Sequence, residues 1–392
     1  MDVMPKPLNP VFADLPTTIF TVMSDLANEH RAINLGQGFP DTDGPEIVRR
    51  AAAEAILAGP NQYPQSRGTA ELRRAVADHD RRCYGLELDW QREVIVTSGA
   101  TEALAVCLFS LLRQGEEVIV LEPAYDSYAP VIRAAGGVPR FLPLQPPDWH
   151  IDEEALRAAF SDGTKAIIIN TPMNPTGKVF TEPELSLLAE LLQRFDAYAV
   201  CDEVYEHLVF DGHRHLPLMT LPGMRGHCLR VGSAGKTFAL TGWKVGYITA
   251  DKTLADTVAR THQFITFTTV PALQHAVAAG LNGDAGWFRA VAAELQAMRD
   301  LLAAGLKDIG FGILPCGGTY FLTVDFSRLD PGSGAEAFCR RMTVEAGVAA
   351  IPVSAFYHTG APAVPDSLIR FCFCKRREVL EEALQHLRNY FS

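Results

Sequence analysis

Short, continuously apolar runs alternate with stretches of helical spacing through the middle of the chain. The runs are Val94-Ile95-Val96, Val118-Ile119-Val120-Leu121, Ala166-Ile167-Ile168-Ile169, Tyr198-Ala199-Val200-Cys201, Leu229-Arg230-Val231 and Gly246-Tyr247-Ile248-Thr249. Strands without polar alternation predict a mostly parallel sheet covered by helices on both faces. Residues 102–112 are nearly all apolar and predict a buried helix, and residues 182–195 carry apolar positions at helical spacing. The last two runs are joined too tightly for a helical crossover, which predicts one antiparallel strand.

The pattern changes at both ends. Pro5, Pro7, Pro10 and Pro16 predict an extended arm, followed by a short amphipathic helix over 18–30. Helical patterns over 287–308 and 335–346, with strands over 320–325 and 368–374, predict a second α+β domain. The expected organisation is an arm contributing to the small domain (1–45), a large ligand-binding domain (46–284) and a C-terminal small domain (285–392). A chain of 392 residues is long enough for such a division.

Charge and composition narrow the function. A net charge of −11 opposes nucleic-acid or anionic-membrane binding as a main role. The start Met1-Asp2-Val3-Met4-Pro5-Lys6 has no apolar core, so no signal peptide is expected. The uncharged stretch 263–283 carries Thr, Gln, His and Pro and reads as core or interface, not a membrane span. The eight cysteines are scattered without a Cys-x-x-Cys pair, which suits reduced thiols in the cytoplasm. Cys372 and Cys374 share one face of an expected strand. His213 and His215 flank Arg214 in what reads as a polar surface loop, and no metal is assigned.

Ligands of parallel α/β sheets collect at the carboxyl ends of the strands. The polar residues after the apolar runs form one set. Gly99 opens a turn into the buried helix, whose free N–H groups at Ala100 and Thr101 suit a phosphate; an ordinary cap by Ser98 or Thr101 explains the segment equally well. Asn174, in Asn170-Thr171-Pro172-Met173-Asn174-Pro175-Thr176-Gly177, presents an amide able to donate to a phenolate oxygen, or marks a plain turn. Asp202 emerges directly from a buried strand, which is costly without a partner. A pyridinium nitrogen would serve, with Tyr205 donating to the same ring; an ion pair or a helix cap is the alternative. Ser233 and Lys244 suit a phosphate, although Lys244 alone reads as a solvated lysine. Arg370, among apolar strand residues, needs an anion: a substrate carboxylate or an internal Asp or Glu. Tyr125 would stack on a ring or sit in the core. Lys236, ending Ser233-Ala234-Gly235-Lys236, gives the set its chemistry. A lysine at a strand edge beside a hydroxyl is what holding pyridoxal phosphate as a Schiff base requires.

The segments together resemble the fold type I pyridoxal-phosphate enzymes, specifically the class I/II aminotransferases of the kynurenine, glutamine and bacterial methionine branch. The resemblance rests on Asn34-Leu35-Gly36-Gln37-Gly38-Phe39-Pro40-Asp41, Asn61-Gln62-Tyr63, Ser98-Gly99-Ala100-Thr101-Glu102-Ala103, Asn174-Pro175-Thr176-Gly177, Asp202-Glu203-Val204-Tyr205, Ser233-x-x-Lys236-Thr237-Phe238, Thr241-Gly242-Trp243-Lys244-Val245-Gly246, Gly318-Thr319-Tyr320-Phe321 and Leu368-Ile369-Arg370-Phe371, in order along nearly the whole chain. It implies an aspartate aminotransferase-like fold: an α/β large domain with a mostly parallel seven-stranded sheet between helices, plus a smaller α+β domain.

It also implies a homodimer with shared active sites. The partner subunit's Tyr63 would reach the phosphate and the partner subunit's Phe267 would line the side-chain pocket. Gly38 would lie beside the substrate carboxylate, opposite Arg370. Lys244 stands where many aspartate-type relatives carry arginine. Thr268 stands where animal kynurenine enzymes carry histidine. The stretches 125–130 and 262–267 look more like the methionine-type enzymes. The expected activity is transfer of an amino group from an L-amino acid to a 2-oxo acid, in a ping-pong sequence with Lys236 as base and Asp202 and Tyr205 tuning the ring. Phe39, Tyr125, Phe267 and Phe356 would make an aromatic pocket for methionine, aromatic residues, glutamine or leucine. A cysteine-conjugate or cystathionine β-lyase shares every cofactor contact and stands as the alternative.

Overall fold

The computed structural model describes residues 6–284, 286–362 and 364–392. The expected leaderless start, the first arm proline Pro5 and residue 285 at the expected domain boundary lie outside the described residues.

Seven strands form the large sheet: β1 (Val94–Thr97), β2 (Glu117–Glu122), β3 (Val138–Pro143), β4 (Thr164–Asn170), β5 (Tyr198–Asp202), β6 (Cys228–Ser233) and β7 (Gly246–Ala250). Their order is β1-β7-β6-β5-β4-β2-β3, with β7 antiparallel to both neighbours and the other pairs parallel. The tight β6–β7 connection therefore does reverse the chain. Successive side chains feed two different cores, as the period of two requires. Val118, Val120, Ile168, Val200 and Val231 face one way, onto the apolar helix Ala100–Leu111. Ile119, Leu121, Ile167, Ile169 and Cys201 face the other, onto Leu185, Leu188 and Leu192 of the helix Glu182–Arg194. That helix starts at a capping box between Thr181 and Glu184.

Several elements went unread. The edge strand β3 is only partly buried and carries Pro139 and Arg140, so it has no continuous apolar run. The helices Glu46–Ala58 and Ala70–Tyr84 close the sheet's β1 end together with Pro271–Leu281, through Val48, Leu72, Val76 and Ala276.

A second sheet, antiparallel throughout, has the order Ile351–Pro352, Leu368–Cys372, Phe321–Asp325, Gly312–Ile313. The helices Gly286–Ile309 and Arg377–Phe391 pack together where Gly305 meets Leu384. The helix over Ala335–Arg341 widens into a π-turn, Met342–Ala346, and ends at Gly347 in the left-handed region. Ile33–Asn34 pairs in parallel with Val348–Ala349, and the helix Ile19–His30, capped by Thr18, precedes it. The N-terminal segment thus joins the C-terminal third. Among the described residues no helix is long and apolar enough to cross a membrane.

Candidate active site

The carboxyl ends of β4, β5 and β6 open into a cavity of about 690 Å³. Lys236, Asp202, Tyr205, Asn174, Ser233 and Lys244 line it. So do Ala100, Thr101, Tyr125, Gly38 and Arg370.

Asp202 ends β5 and is buried. Tyr128 donates its hydroxyl to Oδ2 at 2.6 Å, and Oδ1 has no partner. Burial pushes this carboxyl up to about 6, against the Tyr128 hydrogen bond and the nearby Lys236 cation. Neither an ion pair nor a helix cap accounts for Asp202. The residues around it alternate in direction. Asp202 and Tyr205 face the cavity, while Glu203 and Glu206 bind Arg230 at 2.7 and 3.2 Å. Arg230 also holds Asp80, so the loop after β5 is anchored from behind by a buried ion network. His215 belongs to that network: its Nε2 lies 3.0 Å from Glu203, and it is buried. Of the expected surface loop, His213 is exposed and His215 is not, because Glu203 offers it a buried acceptor.

Lys236 sits in the short turn Ala234–Thr237 that follows β6. Its Nζ donates to Tyr320 Oη at 2.7 Å and lies 3.3 Å from the Gly38 carbonyl. Tyr320 in turn donates to the same carbonyl at 2.7 Å. Burial lowers the Lys236 pKa, which makes the neutral amine more available as a base. Burial raises the Tyr205 hydroxyl well above its ordinary value, so it remains a donor.

The helix Ala100–Leu111 begins at Gly99, with φ +81°, and no side chain caps it. Its N–H groups stay open because Glu102 is engaged elsewhere: Oε2 accepts from the Ser98 amide and Oε1 from His262, both at 2.7 Å. Lys244, itself in the left-handed region, places Nζ 3.3 Å from where a Gly99 Cβ would be. Gly246 backs the same turn, and a Cβ there would lie 2.7 Å from the Gly99 carbonyl carbon.

Arg370 is 1% exposed, in the strand Leu368–Cys372. It donates to Asn174 Oδ1 and the Gly36 carbonyl, both at 2.7 Å, and its Nε is unpartnered. Its guanidinium stacks 3.9 Å from the Phe321 ring centroid. Burial pushes it down to about 10. Among the described residues no carboxylate forms a salt bridge with it, so the internal partner allowed by the sequence is missing. Asn174 Oδ1 is committed to Arg370, which leaves Nδ2 as its donor.

Phe356 and Phe39, expected in the pocket, do not line the cavity, and Tyr63 and Phe267, expected in a partner subunit's site, lie outside this chain's own. Phe356 is buried behind Arg370, its ring centroid 5.0 Å from the guanidinium. Phe39 is half exposed and lies under Lys375. Tyr63 and Phe267 stack edge-to-face at 5.4 Å, with Tyr63 83% exposed. Sequence reasoning missed Tyr128 and Tyr320 as polar partners, and Asp126 as an acid in the cavity. Tyr128 stands only three residues after Tyr125 at a helix start, and that spacing was the available signal.

The residues present fit pyridoxal 5′-phosphate. The orphaned Asp202 oxygen would accept from a ring N–H, Lys236 supplies a buried amine, and the uncapped helix start with Lys244 and Ser233 suits a phosphate.

Residues 30–387 match the family model for aminotransferase class I and II. The chain is 44% identical over 379 residues to a probable N-succinyldiaminopimelate aminotransferase of Mycobacterium tuberculosis, covering 95% of each chain. It is 40% identical over 374 residues to a methionine aminotransferase of Escherichia coli, covering 95% of this chain and 96% of the relative. A solved Escherichia coli structure identified with a methionine aminotransferase function superposes with a TM-score of 0.94 at 39% identity, over 98% of this chain and all of that one.

Proposed function

Because the chain belongs to the class I and II aminotransferases, we propose that it moves the amino group of a neutral L-amino acid to a 2-oxo acid, with pyridoxal 5′-phosphate held by Lys236 and Asp202. Methionine, aromatic residues, glutamine and leucine are the donors this reading favours. The observation that carries it is Arg370: a buried guanidinium without a carboxylate partner, facing the same cavity as Lys236 and the orphaned Asp202 oxygen. Its planar fork suits the substrate's α-carboxylate. Arg370 is the one arginine lining the cavity among the described residues, and Asp126 adds an acid there. Both favour a side chain without negative charge.

When bound, the cofactor supplies an aldehyde carbon that accepts the amino group and a cationic ring that takes up the electron pair of the broken Cα–H bond. Asp202 keeps the ring nitrogen protonated, with Tyr128 orienting the carboxylate. Asn174 and Tyr205 donate toward the ring oxygen. Ala100, Thr101, Ser233 and Lys244 hold the phosphate. Arg370 would fix the α-carboxylate and so present the Cα–H bond to Lys236. Lys236 Nζ would take up and hold the α-proton as general base. A second 2-oxo acid reverses the sequence. The same cofactor contacts would serve a β-lyase, but the relatives named above are aminotransferases. The scattered free thiols support a cytoplasmic setting.

A visible spectrum recorded while the holoenzyme is titrated with amino acids tests cofactor and donor together. The panel is methionine, phenylalanine, glutamine, leucine, aspartate and N-succinyldiaminopimelate. Methionine or another neutral donor should convert the absorbing species at the lowest concentration. Aspartate or N-succinyldiaminopimelate as the best donor overturns the donor assignment. A colourless protein that takes up no added cofactor overturns the whole reading.

A further inference from the structure

After the strand that carries Arg370, the chain runs on through Phe373 to Cys374. Arg370 and Cys372 point to one side of the strand, and Cys374 follows two residues on. The regular strand ends at Cys372. The Cys372 and Cys374 sulfurs lie 3.1 Å apart, both as free thiols. We infer that Cys372 and Cys374 are a redox-switchable dithiol, closed to a disulfide by peroxide and thereby lowering aminotransferase activity. This goes beyond the transfer reaction and does not depend on which donor is used.

The surroundings favour the chemistry. Burial opposes a thiolate at Cys372. The Cys374 thiol and backbone N–H, with the Lys375 and Arg370 charges, outweigh it and lower the Cys372 pKa. Cys374 is raised by burial and by its neighbour, so one sulfur attacks and the other resolves. The other adjoining thiols differ. At Cys201, the Cys228 thiol and burial both raise the pKa, and it stays protonated in the core. The Cys372 thiolate would attack a peroxide oxygen, breaking the O–O bond to give a sulfenic acid and one water. The Cys374 sulfur would then displace the sulfenic oxygen as a second water, forming the S–S bond. Two thiols lose two electrons and two protons, and the peroxide is reduced. A small thiol reductant reverses it.

The pair is wired to the catalytic groups. The Phe373 amide, between the two cysteines, donates to the Tyr320 carbonyl at 3.0 Å, and the Tyr320 hydroxyl holds Lys236. The Cys372 amide donates to Leu35 at 2.6 Å, beside the Gly36 carbonyl that holds Arg370. Lys375, next in the chain, binds Phe39 and Asp41. Drawing the sulfurs from contact to the bonded distance of about 2.05 Å moves backbone that positions both Arg370 and Tyr320.

The test treats the holoenzyme with hydrogen peroxide, then maps disulfides by mass spectrometry under non-reducing digestion while following activity. The expected result is a peptide carrying 372 and 374 lighter by two hydrogens, an activity loss of about tenfold or more, and recovery with dithiothreitol. Cys374→Ala should show untreated activity and resist the loss. Absence of the 372–374 link, a linked enzyme with full activity, or equal sensitivity in Cys374→Ala would each overturn the inference. If the variant does not fold, the link and its reversal in the unmodified chain decide alone.

Discussion

Tyr128 donates its hydroxyl to Oδ2 of Asp202 and leaves Oδ1 of the same carboxylate buried and free. In the cofactor-free protein that half-satisfied charge is a cost. The folded carboxyl titrates near 6, above its ordinary 3.8. With the folded value raised, the group's stabilising contribution is complete below pH 3.8 and is lost as pH rises through about 6. Asp202→Asn should therefore stabilise the cofactor-free protein by roughly 2–3 kcal/mol at about pH 8 and by almost nothing below about pH 4. The same change should lower turnover at least about a hundredfold, because a neutral amide does not hold a cationic ring nitrogen. Thermal unfolding at the two pH values, beside an activity assay, checks both. An equal stability change at both pH values would sink the account of Asp202.

Lys236 and Tyr320 form a triangle with the Gly38 carbonyl. Lys236→Ala should abolish turnover, and borohydride should leave no cofactor attached to that position. Tyr320→Phe removes one of the amine's two polar partners without emptying the site. It should lower kcat about tenfold, by loosening the base, with little change in KM. Near-normal activity in Lys236→Ala would refute the scheme.

Arg370→Gln should raise KM for every amino donor and lower kcat/KM by about a hundredfold or more, the size of two lost charge-assisted hydrogen bonds. Cofactor absorbance should remain, because Arg370 is assigned to the substrate. Arg370→Lys should recover little, since an ammonium does not reproduce the fork that reaches Asn174 and Gly36 together. Loss of the cofactor in both variants would place Arg370 in the wrong role.

Six strands of the large sheet were legible because each is a nearly pure apolar run covered on both faces. β3 was not, because it is a partly exposed edge strand without a continuous apolar run. The residues after β5 and β6 and the arginine in the strand Leu368–Cys372 could be read from chemistry: a buried acid, a lysine and an arginine among apolar neighbours each need an explanation. Tyr128 and Tyr320 were missed, since a tyrosine in an apolar context reads as core until its hydroxyl's partner is known. Arg230 lay inside an apolar run, yet its three carboxylate partners come from two distant segments that only the fold brings together. His215 looked like surface for the same reason.

Tyr63 and Phe267 offer the clearest test of assembly. Tyr63 is 83% exposed, and Phe267 is held at φ +71°, a conformation costly for a bulky residue. An exposed aromatic pair on strained backbone, outside this chain's own cavity, suits a role in a second copy's site. If each site takes Lys236 from one subunit and Tyr63 from the other, two defective chains can complement. A Lys236→Ala chain mixed with a Tyr63→Ala chain yields hybrids in which one site carries Lys236 from the second chain and Tyr63 from the first. Co-expressed and purified through two different tags, such hybrids should bind cofactor tightly at about half of their sites, one of the two per dimer. Their activity should exceed that of either parent. The hybrid fails to do this if both groups act within one chain, since every site then contains one defect. A hybrid no better than the parents, or a protein that sediments as a monomer, would remove the shared site.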